Sequence, residues 1–350
     1  MTQVWVGVLL IKVLFVQKIL PIYQKGRFYQ SASKIGQRIW GPSVYMYAQS
    51  FVHRLFHKQK PPIIIPFDLP EEGDFCLAVG HATFLMRLGG ITILTDPIFE
   101  SATFLFRRAV SPGITIDRLP PVDYVLISHN HRDHLDERSI KQIVSRSPHV
   151  TFLVPQGVRE WFLHLNIERV HEYIWWDSYK ISGFACTFLP AYHWSGRWLT
   201  DKNRSLWGSW MIEAGGRTIY FAGDTAYWKH FLCIGHYFPN IDMALLPIGP
   251  CKPHKYMQTS HLNAASAIQA FIELRARYFV AMHWGVFYFG TDDIFTPIEY
   301  LERAWKNKQH QLQRIHTIVP APLVLIPGQS ILLDMLLGSK PVSSTTQISV

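Results

Sequence analysis

Cysteine is scarce in this 350-residue chain: Cys76, Cys186, Cys233 and Cys251 stand far apart, with no C-x-x-C spacing. That pattern excludes a disulfide framework and a thiolate metal site, and it suits a reducing, cytoplasmic setting. A nucleophile elbow of the form G-x-S-x-G is also missing, since the "WGSW" around Ser209 does not fit it, so a serine hydrolase has no support. Acidic residues are absent from the first 60 positions. That stretch carries Lys12, Lys18, Lys25, Arg27, Lys34, Arg38, Arg54, Lys58 and Lys60. Against 34 Lys and Arg and 25 Asp and Glu in total, these nine account for the whole net charge of +9. The rest of the chain is neutral, with no basic patch and no long arm to grip RNA, so a nucleic-acid partner is not expected.

The basic stretch opens with "VWVGVLLIKVLFVQKILPI", residues 4–22, whose apolar run is interrupted only by Lys12, Gln17 and Lys18. Its thirteen Val, Leu, Ile and Phe, at roughly −0.3 to −0.6 kcal/mol each, outweigh one central Lys at about +2.5 to +3.5 kcal/mol in a spanning helix. No basic n-region precedes the run and no A-x-A site follows closely, which argues against a cleaved signal peptide. The basic and aromatic residues that follow ("YQKGRFYQ", "KIGQRIW") suit an anionic headgroup layer. The expectation is a membrane-associating extension over residues 1–60 that keeps the rest of the chain on the cytoplasmic side. The plainer alternative is an N-terminal helix packed on the domain.

From "PPIIIP" onward, short apolar runs alternate with turn signals. Strands are expected at "FCLAVG", "ITILTD", "YVLISH", "TFLVP", "FACTFLP", "SWMIEA", "TIYFAG", "MALLPI" and "YFVAMH", with helices near residues 135–145, 263–274 and 296–306. No linker divides the middle of the chain, so residues 61–338 are read as one catalytic domain and 339–350 as a polar, disordered tail.

Several of these strands lead into a residue able to bind metal: His129, His193, Asp224 and His283. The densest cluster is "SHNHRDHLD", where His129 and His131 can point the same way and Asp133 and His134 project after the chain turns. One short loop can thus serve two adjacent ions. Imidazole and carboxylate without thiolate suit Zn²⁺ first, with Mn²⁺, Fe or Ni²⁺ allowed by ligand type. His149, His164 and His171 stand alone and read as ordinary surface or core residues. Asp96, at a strand end in "TDP", is a candidate to orient a ligating histidine.

The H-x-H-x-D-H cluster followed by His193, Asp224 and His283 resembles the ligand set of the metallo-β-lactamase fold. That resemblance implies an α+β, four-layer αββα sandwich with a binuclear site at one edge of its two sheets. Over residues 75–290, "GHATFL", "TDPIF", "LPPVDYVLISHNHRDHLD", "LWGSWMIE", "YFAGDTAYW", "LLPIGP" and "AMHWGVF" together resemble the N-acylphosphatidylethanolamine-hydrolysing phospholipase D family and its bacterial relatives. The resemblance implies one ion held by His129, His131 and His193, a second held by Asp133, His134 and His283, and Asp224 bridging both. It implies two Zn²⁺ as cofactors, Asp133, Asp224 and His261 as catalytic residues, and His261 beside the substrate phosphate as a contact or proton donor.

The activity so implied is that of a metal-dependent phosphodiesterase of phospholipase D type. Hydroxide held between the ions attacks phosphorus, releasing N-acylethanolamine and leaving phosphatidic acid. The expected partners are a phospholipid substrate and an anionic membrane surface, and a homodimer is compatible with the sequence. The family pattern breaks at three places. Arg132 stands where Tyr is common, Pro250-Cys251 where Ala-Tyr is common, and Ser260 where Gln is common, so the resemblance does not carry the family's headgroup and acyl preference over to this chain. Two other readings use the same residues: a hydrolase of a soluble phosphorylated lactone or small phosphodiester, and a non-catalytic membrane-surface protein with structural metals.

Overall fold

Two seven-stranded sheets dominate the computed structural model, which describes residues 16–31, 52, 69–70, 72–103, 106–198, 200–313 and 320–338. In chain order, β1 (Ile22–Gln24) and β2 (Arg27–Tyr29) pair only with each other. The first sheet is built from β3 (Phe75–Gly80), β4 (Thr83–Leu88), β5 (Ile91–Thr95), β6 (Tyr124–Leu126), β7 (Thr151–Pro155) and β8 (Val170–Tyr173). The second sheet takes β9 (Ser178–Ile181), β10 (Phe184–Leu189), β11 (Ser209–Ala214), β12 (Arg217–Phe221), β13 (Met243–Pro247), β14 (Tyr278–Met282) and β15 (Leu323–Val324). The last strand, β16 (Ser330–Leu332), returns to the first sheet beside β3.

Pleating decides what each face meets. Along β3, Phe75, Leu77 and Val79 join a cluster with Ile140, Ile143 and Phe162 of the helices Glu137–Arg146 and Arg159–Leu163. Cys76 and Ala78, on the opposite face, pack with Phe188, Trp210 and Phe221 of the second sheet. The far face of that sheet is covered by the helices His230–Tyr237, Ala264–Leu274 and Thr296–Gln313. The order is therefore helix, sheet, sheet, helix, the α+β sandwich expected. Because each sheet is covered on both faces, its strands read as unbroken apolar runs rather than alternating ones.

Strand direction brings the site together. Within the first sheet, β3, β5 and β6 run the same way, since β3 and β5 flank the antiparallel β4 and β5 pairs parallel to β6. Within the second, β10, β12 and β14 share a direction by the same logic. The loops that leave the C-terminal ends of these strands carry His81, Asp96, His129, His193, Asp224 and His283.

Residues 16–31 lie against the second sheet's side of the molecule. Trp176 Nε1 donates to the Ile19 carbonyl at 2.8 Å, Tyr237 donates to the Val16 carbonyl at 3.1 Å, and Phe28 N donates to the Asn203 carbonyl at 2.8 Å. Most of the apolar run expected to meet a membrane, the boundary expected near residue 60 and the tail 339–350 lie outside the described residues. Among those described, no helix is long and apolar enough to cross a membrane.

Candidate metal centre

The loop after β6 is pinned at several points before it presents any ligand. Ile127 N donates to the Leu153 carbonyl at 3.0 Å, Trp210 Nε1 to the Ile127 carbonyl at 2.9 Å, and Gly208 N to the Ser128 carbonyl at 2.9 Å. Beyond the ligands, Asp136 caps the helix Glu137–Arg146 by accepting from Ser139 N at 2.9 Å. The second aspartate of "SHNHRDHLD" is therefore a cap. Arg197 clasps the loop from outside, donating to the Asn130 and Leu135 carbonyls at 3.0 and 2.7 Å. Gly223 permits the close approach on the other side: a Cβ there would sit 2.5 Å from that of Ser128.

Held this way, the expected residues converge as two groups. His129 Nε2 lies 2.8 Å from His131 Nδ1, and His193 Nε2 lies 3.3 Å from the same atom. Asp133 Oδ2 lies 3.4 Å from His134 Nε2 and 3.8 Å from His283 Nε2. Asp224 reaches both groups, with Oδ2 3.4 Å from His134 Nε2 and 3.8 Å from His193 Nε2, and Oδ1 3.0 Å from His283 Nε2. His261 Nδ1 is 3.5 Å from Asp224 Oδ2. By contrast His149, His164 and His171 are exposed.

Tautomers test whether these residues fit a cation. His193 Nδ1 donates to the Ser260 carbonyl at 2.8 Å, so Nε2 of the neutral ring carries a lone pair. Ser128 Oγ donates to Asp96 Oδ2 at 2.5 Å and so accepts from His129 Nδ1 at 2.8 Å, leaving His129 Nε2 a lone pair as well. Both lone pairs face His131 Nδ1, which has at most one proton to give. On the other side, His134 Nδ1 donates to Asp96 Oδ2 at 2.7 Å, which turns Nε2 of a neutral ring toward two carboxylates. Lone pairs and carboxylate oxygens aimed at each other repel unless positive charge stands between them. His134 Nε2, His283 Nε2 and Asp224 Oδ1 are buried and make no hydrogen bond of ordinary geometry, although His283 Nε2 and Asp224 Oδ1 stand only 3.0 Å apart. The donor set fits divalent metal, and imidazole with carboxylate fits zinc among others.

The electrostatics of the buried groups point the same way. Burial holds His129 and His193 well below the usual imidazole range, and it brings His131 down to about 4, so these rings are neutral and ready to ligate. Burial also opposes charge on His134 and His283. There Asp224 and Asp133 prevail, raising His134 well above its usual value and His283 to about 9. Without metal, protons supply the positive charge that the two carboxylates require.

Sequence reasoning missed one histidine. His81 Nε2 lies 3.1 Å from Asp133 Oδ2, and His81, Asp133, His134 and His283 form one set of potential metal-binding groups. The "GHATFL" motif contained it, but nothing in a β-hairpin turn marks a histidine as pointing inward. His81, Asp96 and His283 have φ of 62°, 33° and 60°. A non-glycine residue in that region costs of order 1–3 kcal/mol, and such strain gathers at functional sites.

A model of the beta-lactamase superfamily domain matches residues 92–284. The N-acyl-phosphatidylethanolamine-hydrolyzing phospholipase D 1 of Caenorhabditis elegans is 33% identical over 254 residues, covering 68% of this chain and 70% of the relative. The chain belongs to this phospholipase D family of the beta-lactamase superfamily. The mitochondrial N-acyl-phosphatidylethanolamine-hydrolyzing phospholipase D of Saccharomyces cerevisiae is 34% identical over 283 residues, 75% of this chain but 60% of the yeast protein. Among solved structures, Igni18, a metallo hydrolase from Ignicoccus hospitalis, superposes with a TM-score of 0.54 at 20% identity over 74% of this chain and 97% of its own. Family and fold together make the chain a metal-dependent hydrolase.

Proposed function

We propose that this family member is a zinc-dependent phosphodiesterase of phospholipase D type, which hydrolyses N-acylphosphatidylethanolamine at an anionic membrane surface on the cytoplasmic side. The observation that carries the reading is Asp224, whose two oxygens reach both ligand groups and tie them into one centre. His129, His131 and His193 would hold one ion, and Asp133, His134 and His283 the other, with Asp224 shared. Two such ions supply Lewis acidity toward a phosphoryl oxygen and make hydroxide available near neutral pH. The water oxygen forms a new bond to phosphorus, the bond from phosphorus to the ethanolamine oxygen breaks, and the products are phosphatidic acid and N-acylethanolamine.

His261 faces the centre beside Asp224, and burial lowers its pKa to about 4, so near neutral pH it is a neutral ring. In that form it donates a hydrogen bond to a phosphoryl oxygen rather than carrying charge. The rim suits lipid. Trp194 packs edge-on against His131 with ring centroids 4.1 Å apart, and Arg132 lies 4.6 Å from the ring of Trp198, which is 70% exposed. A guanidinium on an exposed indole offers a headgroup phosphate a cation and the interface an aromatic anchor. Trp198→Ala is therefore expected to lower activity on vesicles several-fold while leaving activity on detergent-dispersed substrate within twofold. Equal loss on both would remove the interfacial role.

The reaction itself is tested with metal-loaded protein and mixed phospholipid vesicles containing N-acylphosphatidylethanolamine, with products identified by mass spectrometry. Stoichiometric N-acylethanolamine and phosphatidic acid are expected. Fully metallated protein that leaves this lipid intact but cleaves soluble phosphoesters or lactones would overturn the lipid assignment.

A further inference from the structure

The turn between β3 and β4 is built in a way that aims one side chain into the metal centre. The pairing register shifts between Ala78 and Gly80, a bulge of the kind that redirects a strand end, and φ is positive at both Gly80 and His81. The His81 side chain is 2% exposed, so water does not satisfy its ring. Its Nε2 approaches Asp133 Oδ2 at 3.1 Å, and its ring lies against that of His283, with centroids 3.9 Å apart. The edge of Phe287 closes the other side at 5.0 Å. The backbone adds a further tie, because His283 N donates to the His81 carbonyl at 3.0 Å.

We propose that His81 is a positioning residue for one ion only: its Nε2–H holds the Asp133 carboxylate and its ring backs His283, so that both face the ion they share with His134. This rests on the binuclear reading above. An ionised carboxylate only accepts, so Nε2 must carry the proton, and a protonated nitrogen is a donor and not a ligand. The ring neighbours of His81 are His134, His283, Phe287 and Phe289, none of which belongs to the other group. Outer partners that orient metal ligands are typically worth about 10- to 100-fold in metal affinity.

The test compares His81→Ala and His81→Gln with the parent, all as full-length protein. Gln places an amide donor near the position of Nε2, and both variants keep the backbone tie to His283. Bound zinc is counted by elemental mass spectrometry after equilibration with a graded chelator, and the cobalt-substituted proteins are compared by absorption spectroscopy. The parent should hold two equivalents; if it does not, the binuclear reading fails before His81 is tested.

In His81→Ala, one equivalent should dissociate at about 10- to 100-fold lower chelator strength while the other stays at its parent value. In His81→Gln most of that loss should be restored, with a parent-like cobalt spectrum. Retention of both equivalents in His81→Ala would overturn the proposal. So would equal loss in Ala and Gln with an altered cobalt spectrum, because His81 would then be a ligand itself. Loss of both equivalents together would mean general damage and overturn it as well.

Discussion

Replacing Asp224 with Asn should lower turnover of N-acylphosphatidylethanolamine by roughly a thousandfold or more, because in the proposed two-metal centre one carboxylate would serve both halves. The exchange is close to isosteric, and Asp224 is only 3% exposed, so the effect is electronic rather than steric. An amide keeps one acceptor oxygen and turns an NH₂ toward the other group. The charge is lost toward both groups, and either His283 Nε2, 3.0 Å from Oδ1, or His134 Nε2 and His193 Nε2, 3.4 and 3.8 Å from Oδ2, would face an NH₂ in place of an acceptor oxygen. Neighbouring His283 and His134 already hold Asp224 well below the usual carboxylate range against the effect of burial, so the residue is charged in the parent. Initial rates on vesicles, alongside a thermal melt to show that the chain remains folded, decide the matter. Turnover within tenfold of the parent would remove the shared role of Asp224.

A second large effect is expected at Asp96, which touches none of the ions proposed. It is fully buried and accepts from Ser128 N at 2.7 Å, Ser128 Oγ at 2.5 Å and His134 Nδ1 at 2.7 Å. Through Ser128 it fixes His129, and directly it fixes His134, so one carboxylate orients a proposed ligand in each group. Asn at this position has one acceptor oxygen and an NH₂ that must face one of those three donors. Leaving buried donors unpaired costs about 1–3 kcal/mol each. Asp96→Asn should therefore destabilise the metal-free protein by about 2–4 kcal/mol and weaken both ions by about 10- to 100-fold. Urea denaturation and chelator competition measure the two effects separately. Weakening confined to one ion would show that the Ser128 relay to His129 carries nothing.

These two aspartates were legible in the sequence to different degrees. Asp224 sits where an apolar run ends in "FAGD", and strand tips supporting ligands are a pattern that can be read without coordinates. All nine runs read as strands are strands, and the helix expected near residues 263–274 is present, opened by Asn263 in a capping box with Ser266. Asp96 was visible only as a candidate orienter, because "TDP" looks the same whether the carboxylate faces water or three donors.

The strands that escaped reading have physical reasons. The edge strands β8 and β9 ("VHEY", "SYKI") are short and half polar, and β15 and β16 have two and three residues. β4 ("TFLMRL") follows β3 after a two-residue turn, so one apolar stretch conceals two strands. His81 sits in that turn, and its direction depends on a bulge that no periodicity announces.

These residues are proposed to form one two-metal centre that cleaves a phospholipid. The most direct test is native mass spectrometry of the parent protein as metal is added to the stripped form, with vesicle hydrolysis followed in the same samples. Two divalent ions should bind, and N-acylethanolamine release should rise with the doubly loaded species. Full activity from protein carrying a single ion, or from protein carrying none, would contradict it.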